Sequence, residues 1–300
     1  MHSRLLRHFL AVYDARSLSA AAAAHRISQP ALTKSLQTLE QEFGVKLFDR
    51  IASGVTPTRY GEVLARRVRL MDIEYRHAVA EIEAMRGGKE GQIRIGAGPV
   101  WITRYLPAIV AGYQKQRPEV RIYMESGVID TLIPQLQRGE FDLVCASLDF
   151  PNQPDLVKEA LVNIEHIVVA SEKHPLAGKS DIEAKDLAGY PWIALAKDQV
   201  GTGRILSYFA AYDLQPPQIA LETSSTPAMF DLLNLGDYLC HIPKSLLPHA
   251  EKFGVVPLPL KGTFWETPAG IIYRQSEHRM PALEQFIKSM RTAFEPALPA

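Results

Sequence analysis

The sequence predicts a chain in three parts: a small, mainly helical domain with a helix-turn-helix and a wing over residues 1–60, one long helix over 61–88, and an α/β domain over 91–300. Three observations predict it. Residues 27–50 read ISQPALTKSLQTLEQEFGVKLFDR, a capped amphipathic helix followed by a hairpin-like segment. Residues 64–85 repeat apolar side chains at alternating steps of four and three. Beyond Gly91, short β-rich runs alternate with helical stretches.

In the first part, Leu6, Phe9, Leu10 and Tyr13 form an apolar helical stripe, and Ser19 can cap a second short helix through the alanines of residues 20–24. Small alanines let helices pack closely. Ile27 and Ser28 leave only a very short turn, as a helix-turn-helix requires to lay its second helix across the first. Ser28 is the N-cap of the next helix, and Pro30 is tolerated in a first turn whose N–H groups have no intrahelical acceptor. Leu32, Leu36, Leu39 and Phe43 recur at steps of four and three, so one side faces a core while Gln29, Thr33, Lys34 and Gln37 face away. That outer face suits nucleic acid. Lys34 can neutralise a phosphate, and the amides of Gln29 and Gln37 offer donors and acceptors to base edges. After Gly44, residues 45–48 and 55–57 read as two short strands around Ala52-Ser53-Gly54, which makes a wing.

The order of these elements resembles the N-terminal domain of LysR-type transcriptional regulators. There an alanine-rich helix precedes S-Q-P-A-L, here residues 28–32, then L-E-x-x-x-G-V-x-L-F-x-R, here 39–50, and T-x-x-G, here 58–61. The resemblance implies that Ser28, Gln29, Pro30, Thr33, Lys34 and Gln37 meet double-stranded DNA on a helix in the major groove. Family wings often carry an arginine near the hairpin tip and another basic residue after it, where this chain has Ser53 and Thr56. Arg50 and Arg59 are the nearby basic candidates.

In the long helix, Leu64, Val68, Met71, Tyr75, Ala78, Ile82 and Met85 form the seam of a coiled coil, with Arg66, Arg67, Arg69 and Glu81 off it. Such a stripe needs a partner, either a second copy or the following domain. In the resembling family this is the linker helix of dimerisation, which implies a homodimer or a homotetramer. At about 1.5 Å per residue, the helix separates two DNA-reading units by about 40 Å, a distance suited to paired half-sites.

Gly87-Gly88-Lys89-Glu90-Gly91 marks the boundary. Then follow IRIGA, a helix over 105–116, VRIYMES, a helix over 131–138 and FDLVCAS, and later HIVVAS, WIAL, QIALE, YLCHI and GIIYR. This alternation predicts largely parallel sheets with a ligand cleft near the C-terminal ends of strands. I-R-I-G at 93–96, L-P at 106–107, G-E-F-D-L at 139–143 and H-P-L-A at 174–177 resemble the LysR-type effector domain, which is similar in fold to periplasmic binding proteins. The resemblance implies two lobes joined by crossovers, one over 91–162 and 267–300 and the other over 163–266, closing on a small-molecule effector.

Four turns are candidates for holding that effector: Gly98, Pro99, Val100, Trp101 and Thr103; Ser126, Gly127 and Val128; Gly201, Thr202, Gly203 and Arg204; and Ser224, Ser225 and Thr226. Ser147, at the end of FDLVCAS, joins them. Free N–H groups at such turns can receive an anion, although the same hydroxyls serve equally as ordinary helix caps. Val100 and Val128 stand where many family members have a serine or threonine, which favours an effector with an apolar portion or a shifted pose over a simple carboxylate clamp. Trp101 is a candidate to stack on the ligand, and Arg204 to pair with an acid.

Composition agrees with more than one domain, since 300 residues exceed the usual size of about 100 to 200 and 47% are hydrophobic. Lys and Arg number 33, as do Asp and Glu, yet residues 1–89 hold 14 cations against 9 anions and the remainder 19 against 24. The basic excess is modest, so specific contacts and dimer geometry must supplement electrostatic attraction to DNA. No signal peptide is evident, and no apolar run approaches the roughly 20 residues of a membrane span, so a cytoplasmic location is expected. Cys145 and Cys240 sit in apolar runs and read as buried, reduced thiols. No Cys and His spacing suggests a metal site.

The rival reading is an enzyme built on the α/β half. Gly96-Ala97-Gly98 begins like a dinucleotide-binding turn, but Trp101 occupies the third glycine position. No P-loop, G-x-S-x-G elbow or H-E-x-x-H pair occurs, so neither a catalytic residue nor a cofactor is expected. The expected function is binding of an interrupted palindrome by a homo-oligomer whose arrangement a small effector changes. The resemblance further implies contact with RNA polymerase where the protein activates.

Overall fold

A computed structural model of the chain describes residues 3–85, 91–276 and 279–295. It divides into two compact units, Met1–Gly88 and Lys89–Ala300.

The first unit opens with α1 (Arg4–Ala15), α2 (Leu18–Ala24) and α3 (Gln29–Phe43). Ser3, Ser17 and Ser28 cap them, each hydroxyl accepting the N–H three residues on. The cap of α2 is Ser17 rather than Ser19, because Leu18 packs on the core and the helix already starts there. Arg26, in the left-handed region at φ 53°, turns the chain, and the Ile27 N–H returns to the Ala22 carbonyl. Phe9, Val12, Ala21, Leu32, Leu36 and Leu39 close the three-helix core. Phe43 departs from the expected seam and is 49% exposed, since α3 ends there and Gly44, at φ 67°, bends the chain away.

The wing pairs β1 (Phe48–Ile51) with β2 (Gly54–Pro57) in antiparallel register. Its first strand begins three residues later than the expected 45–48, because the approach is tied to α3: Glu40 accepts the Leu47 N–H at 2.8 Å and pairs with Lys46 at 3.0 Å. The Val55 N–H bonds the Arg16 carbonyl, which pins the hairpin to the end of α1. Thr58 caps α4 (Arg59–Met85), accepting the Gly61 N–H and donating to the Lys46 carbonyl. A Cβ on Gly61 would stand 2.2 Å from the Leu47 carbonyl oxygen, so T-x-x-G is a requirement of the joint between hairpin and helix. Tyr13 donates to Glu62 at 2.5 Å and Arg69 pairs with Asp14, which binds α1 to α4.

The seam expected along α4 divides into two. Leu64 packs on the three-helix core and Val68 is 1% exposed, so these two belong to the protomer's own interior. Met71 and Ile82, at 58% and 56% exposed, lie open together with Tyr75 and Ala78. The Met85 side chain and the boundary residues 86–90 lie outside the described residues.

The second unit runs through β3 (Gln92–Ala97), a π-helical turn at Trp101–Tyr105 leading into α5 (Leu106–Gln116), β4 (Arg121–Ser126), α6 (Ile129–Gln137), β5 (Leu143–Ser147) and β6 (Leu156–Ser171). It continues with α7 (Ala184–Leu187), β7 (Trp192–Leu195), α8 (Gln199–Ala210), β8 (Ile219–Thr223), α9 (Thr226–Leu233) and β9 (Cys240–Pro243). The last elements are α10 (Leu247–Ala250), β10 (Val255–Pro257), β11 (Trp265–Arg274) and α11 (Pro281–Phe294). The main sheet has the order β10-β6-β11-β5-β3-β4, with β9 also on β6, and β7 and β8 pair separately.

Pairing is parallel for β3 with β4 and β5 and for β7 with β8, but antiparallel wherever β6 or β11 takes part. The sheet is therefore mixed rather than largely parallel. The reason is the pair of long strands, β6 and β11, whose first halves carry charges and a proline and gave no apolar-run signal in the sequence. Their register shifts between Ala269 and Gly270. A Cβ on Gly270 would meet the Glu159 carbonyl oxygen at 1.9 Å, so only glycine fits the close approach. One core gathers around Ile93, Ile95, Trp101 and Phe286, another around Trp192, Phe209 and Leu258. Cys145 and Cys240 are free and buried, and burial pushes both thiols up, away from the reactive thiolate.

Candidate functional site

The outer face of α3 is the candidate nucleic-acid interface. Leu32, Leu36 and Leu39 are turned inward, which leaves Ser28, Gln29, Pro30, Lys34 and Gln37 exposed and Thr33 half-buried. Ser28 is committed to the cap through the Ala31 N–H, while its neighbours remain open to a partner. Ser35, on the inner side, accepts from His8 at 2.8 Å and donates to the Ala31 carbonyl, so the fold reads that polar residue internally. Burial and the nearby Arg4 and Arg7 hold the His8 ring below its ordinary pKa. Thr33, Gln37 and Arg50 share the wall of a shallow groove between α3 and the wing. Arg59 stands apart: its guanidinium lies over the Tyr60 ring at 4.7 Å and donates to the Tyr60 hydroxyl, so a phosphate would have to compete for it. Lys46, not singled out in the sequence, lines the same groove as Arg50 but is paired with Glu40.

In the second unit a cavity of about 870 Å³, mouth included, opens between the strand ends and their turns. Of the expected segments it takes in Gly98, Pro99, Val100, Trp101, Gly127, Val128, Ser147, Gly201, Arg204 and Thr226. Thr103, Ser126, Thr202, Gly203, Ser224 and Ser225 are not in its lining. Thr103 is exposed because the π-helical turn swings it outward, and Ser225 is used as the cap of α9, accepting the Ala228 N–H at 3.3 Å.

The hydrogen bonds at these turns are largely internal. The Gly98 N–H bonds the Cys145 carbonyl and the Gly127 N–H the Ala97 carbonyl. At the start of α8, Asp130 from α6 accepts from Gln199 at 2.8 Å and Val200 at 3.3 Å, and Asp198 accepts from Gly201 at 3.0 Å. Burial raises the Asp198 pKa. Arg204 is held by Asp149 with two nitrogens on one carboxylate oxygen, Nε at 2.8 Å. Ser147 accepts from the Asp149 N–H and meets Thr267 at 2.9 Å.

Trp101 is 1% exposed and packs against Tyr105 and Phe294, so it forms the cavity's back wall rather than a free stacking surface. Its buried indole N–H has no hydrogen-bond partner. The aromatic surface that does face the space was missed in the sequence: Trp265, stacked on His166 with centroids 4.6 Å apart and planes at 20°. His166 in turn meets His241, Nδ1 to Nδ1 at 3.4 Å. Burial lowers His166 to about 4 and His241 well below the ordinary imidazole range, so both rings are neutral near pH 7. The two lie on one face because β6 and β9 pair with His166 opposite Pro243 and Val168 opposite His241. A histidine in each of two apolar strand runs was the visible signal, but only the pairing joins them.

Residues 3–62 match the family described as "Bacterial regulatory helix-turn-helix protein, lysR family", and residues 86–295 match "LysR substrate binding domain". The HTH-type transcriptional regulator GalR of Pseudomonas putida is 28% identical over 267 residues, spanning 87% of this chain and 66% of GalR. Full-length CbnR complexed with its target DNA shares the fold, with a TM-score of 0.55 at 21% identity over 98% of this chain and 100% of CbnR. The effector binding domain of QuiR in complex with shikimate gives a TM-score of 0.59 at 25% identity, covering 68% of this chain and 97% of that one. With relatives named as transcriptional regulators, an enzyme built on the α/β half is set aside. No helix among the described residues is long and apolar enough to cross a membrane. A helix-turn-helix with a wing in the first unit, a cavity in the second, and family matches over nearly the whole length lead to one assignment: the chain belongs to the LysR family of bacterial transcriptional regulators.

Proposed function

We propose that this regulator binds an interrupted palindrome in double-stranded DNA as a homodimer or homotetramer and acts in the cytoplasm. Gln29, Thr33 and Gln37 read base edges in the major groove, Lys34 contacts phosphate, and Arg50 follows the backbone beside the wing. Ser28 and Pro30 start the helix so that its first turn points at the duplex. Met71, Tyr75, Ala78 and Ile82 supply the surface on which two copies meet. A small effector enters the cavity bounded by Pro99, Val100, Trp101, Gly127, Val128, Ser147, Gly201, Arg204 and Thr226, and it shifts transcription by binding one oligomer arrangement better than the other. Contact with RNA polymerase follows where the outcome is activation.

One observation carries the reading: α3, inside the segment that matches the helix-turn-helix family, buries its leucines and leaves Gln29, Lys34 and Gln37 in solvent. CbnR bound to its target DNA and QuiR bound to shikimate support the two halves of the proposal. The test is a mobility shift on genomic fragments selected by the protein. Lys34→Ala should weaken binding on all sequences and flatten its salt dependence, whereas Gln29→Ala should cost about 1–3 kcal/mol and relax the preference at one base position. Wild-type binding by both variants would remove α3 from the interface.

A further inference from the structure

We propose that the cavity of this regulator is built for an uncharged, largely apolar effector, an aromatic alcohol or phenol, whose hydroxyl is read by His166, the ring tied to His241 and stacked on Trp265. The inference rests on the reading of that cavity as the effector site and names what it selects.

Two of the positions where an anion could bind, the start of α8 and Arg204, are already filled by the protein's own carboxylates. Asp130 and Asp198 take the N–H groups at the start of α8, and Asp149 neutralises Arg204. Arg204 is the single lysine or arginine in the lining, against two aspartates, Asp149 and Asp198. A carboxylate entering this space would be an unpaired buried charge near an acidic side chain, and desolvation would disfavour it strongly. The walls that remain are apolar, with Val100, Val128, Ile164, Leu195 and Met229 around the space.

The histidines supply the polar reading. With the two Nδ1 atoms 3.4 Å apart, one ring donates and the other accepts. In a neutral pair the donating ring then has a bare Nε2, and the accepting ring carries its proton on Nε2. The couple therefore offers one donor and one acceptor. The two Nε2 atoms point away from each other, so His166 presents one of these roles to the space; a hydroxyl, which both donates and accepts, meets His166 in either tautomer, whereas a carboxylate, which only accepts, would set its charge against a lone pair wherever that Nε2 is bare. Trp265, stacked on His166, gives a flat face for an aromatic ring. The buried, unpartnered indole N–H of Trp101 leaves one further donor on the wall for an oxygen acceptor.

The experiment uses the full chain and two probes of one shape, 2-naphthol and 2-naphthoate, followed by calorimetry and by tryptophan fluorescence near neutral pH. The expected result is binding of the naphthol at least about tenfold tighter than the naphthoate, with that preference lost in His166→Phe, which keeps the aromatic stack and removes both ring nitrogens. Should His166→Phe fold poorly by its melting curve, the wild-type comparison of the two probes decides alone. Naphthoate binding as tightly as naphthol, and weakened in Trp265→Ala, would overturn the uncharged class while leaving the cavity as the effector site. No response to either probe at millimolar concentration would overturn the proposal together with the reading of the cavity.

Discussion

Arg204 of α8 and Asp149, two residues beyond β5, clasp one another at the cavity wall, Nε to Oδ2 at 2.8 Å. Lys158 steadies the Asp149 segment by donating to the Leu148 and Phe150 carbonyls. The clasp occupies the guanidinium that was a candidate to pair with an effector acid. Both side chains are about a third or more exposed, so the pair contributes no more than about 1 kcal/mol to stability. Asp149→Asn should leave the melting temperature nearly unchanged while raising affinity for 2-naphthoate about tenfold, as calorimetry would show. A large loss of stability with no gain in acid binding would mean that the clasp is structural.

The joint between wing and long helix sets a second expectation. Because a Cβ on Gly61 would lie 2.2 Å from the Leu47 carbonyl oxygen, Gly61→Ala should destabilise the N-terminal unit by about 3 kcal/mol and abolish DNA binding. Thr58→Ala, losing the cap, should cost only about 1 kcal/mol. Circular-dichroism melts of both variants check the order, and equal melting points would refute it.

Acid should loosen the effector unit through His166. In the unfolded chain the ring protonates below about pH 6.5, whereas in the folded unit burial delays this to about 4. The neutral ring thus contributes its full stability above the unfolded value, and that contribution is lost as pH falls from about 6.5 toward about 4. Between about pH 7 and 5 the loss is about 2 kcal/mol from this ring. Urea melts at the two pH values should show it, and His166→Gln should flatten the slope; an equal slope in the variant would assign the effect elsewhere.

The two halves of the α4 seam should respond differently to the same substitution. Met71→Glu with Ile82→Glu, at exposed positions, should give a monomer by light scattering with little change in melting. Val68→Glu places a charge in the interior and should destabilise the protomer by several kcal/mol, roughly 3 or more. An unchanged mass in the double variant would reject α4 as the meeting surface.

Much of the first unit was legible because its signals are local. Ser28, the leucine steps of α3, Gly44 and Thr58 act within one or two turns of where they stand, so caps and amphipathic periodicity located the helices to within a few residues. The errors there arose at ends, where Leu18 and Glu40 pulled neighbouring residues into tertiary contacts. In the second unit the turns of the cavity were found by strand-to-helix changes, but of β6 and β11 only the apolar second halves were legible, because the mixed polarity of their first halves reflects partial exposure.

By itself the amino-acid order determined the succession of helix-turn-helix, long helix and α/β unit, the outward polar face of α3 and the family, since each depends on spacing along the chain. Only the tertiary structure decided which half of the α4 stripe stays open, that Arg204 and the α8 amides are already satisfied by Asp149 and Asp130, and that His166, His241 and Trp265 form one polar and aromatic corner. The physical reason is separation along the chain: these partners lie 55 to 75 positions apart for the hydrogen bonds named, and strand register and helix docking alone bring them within reach.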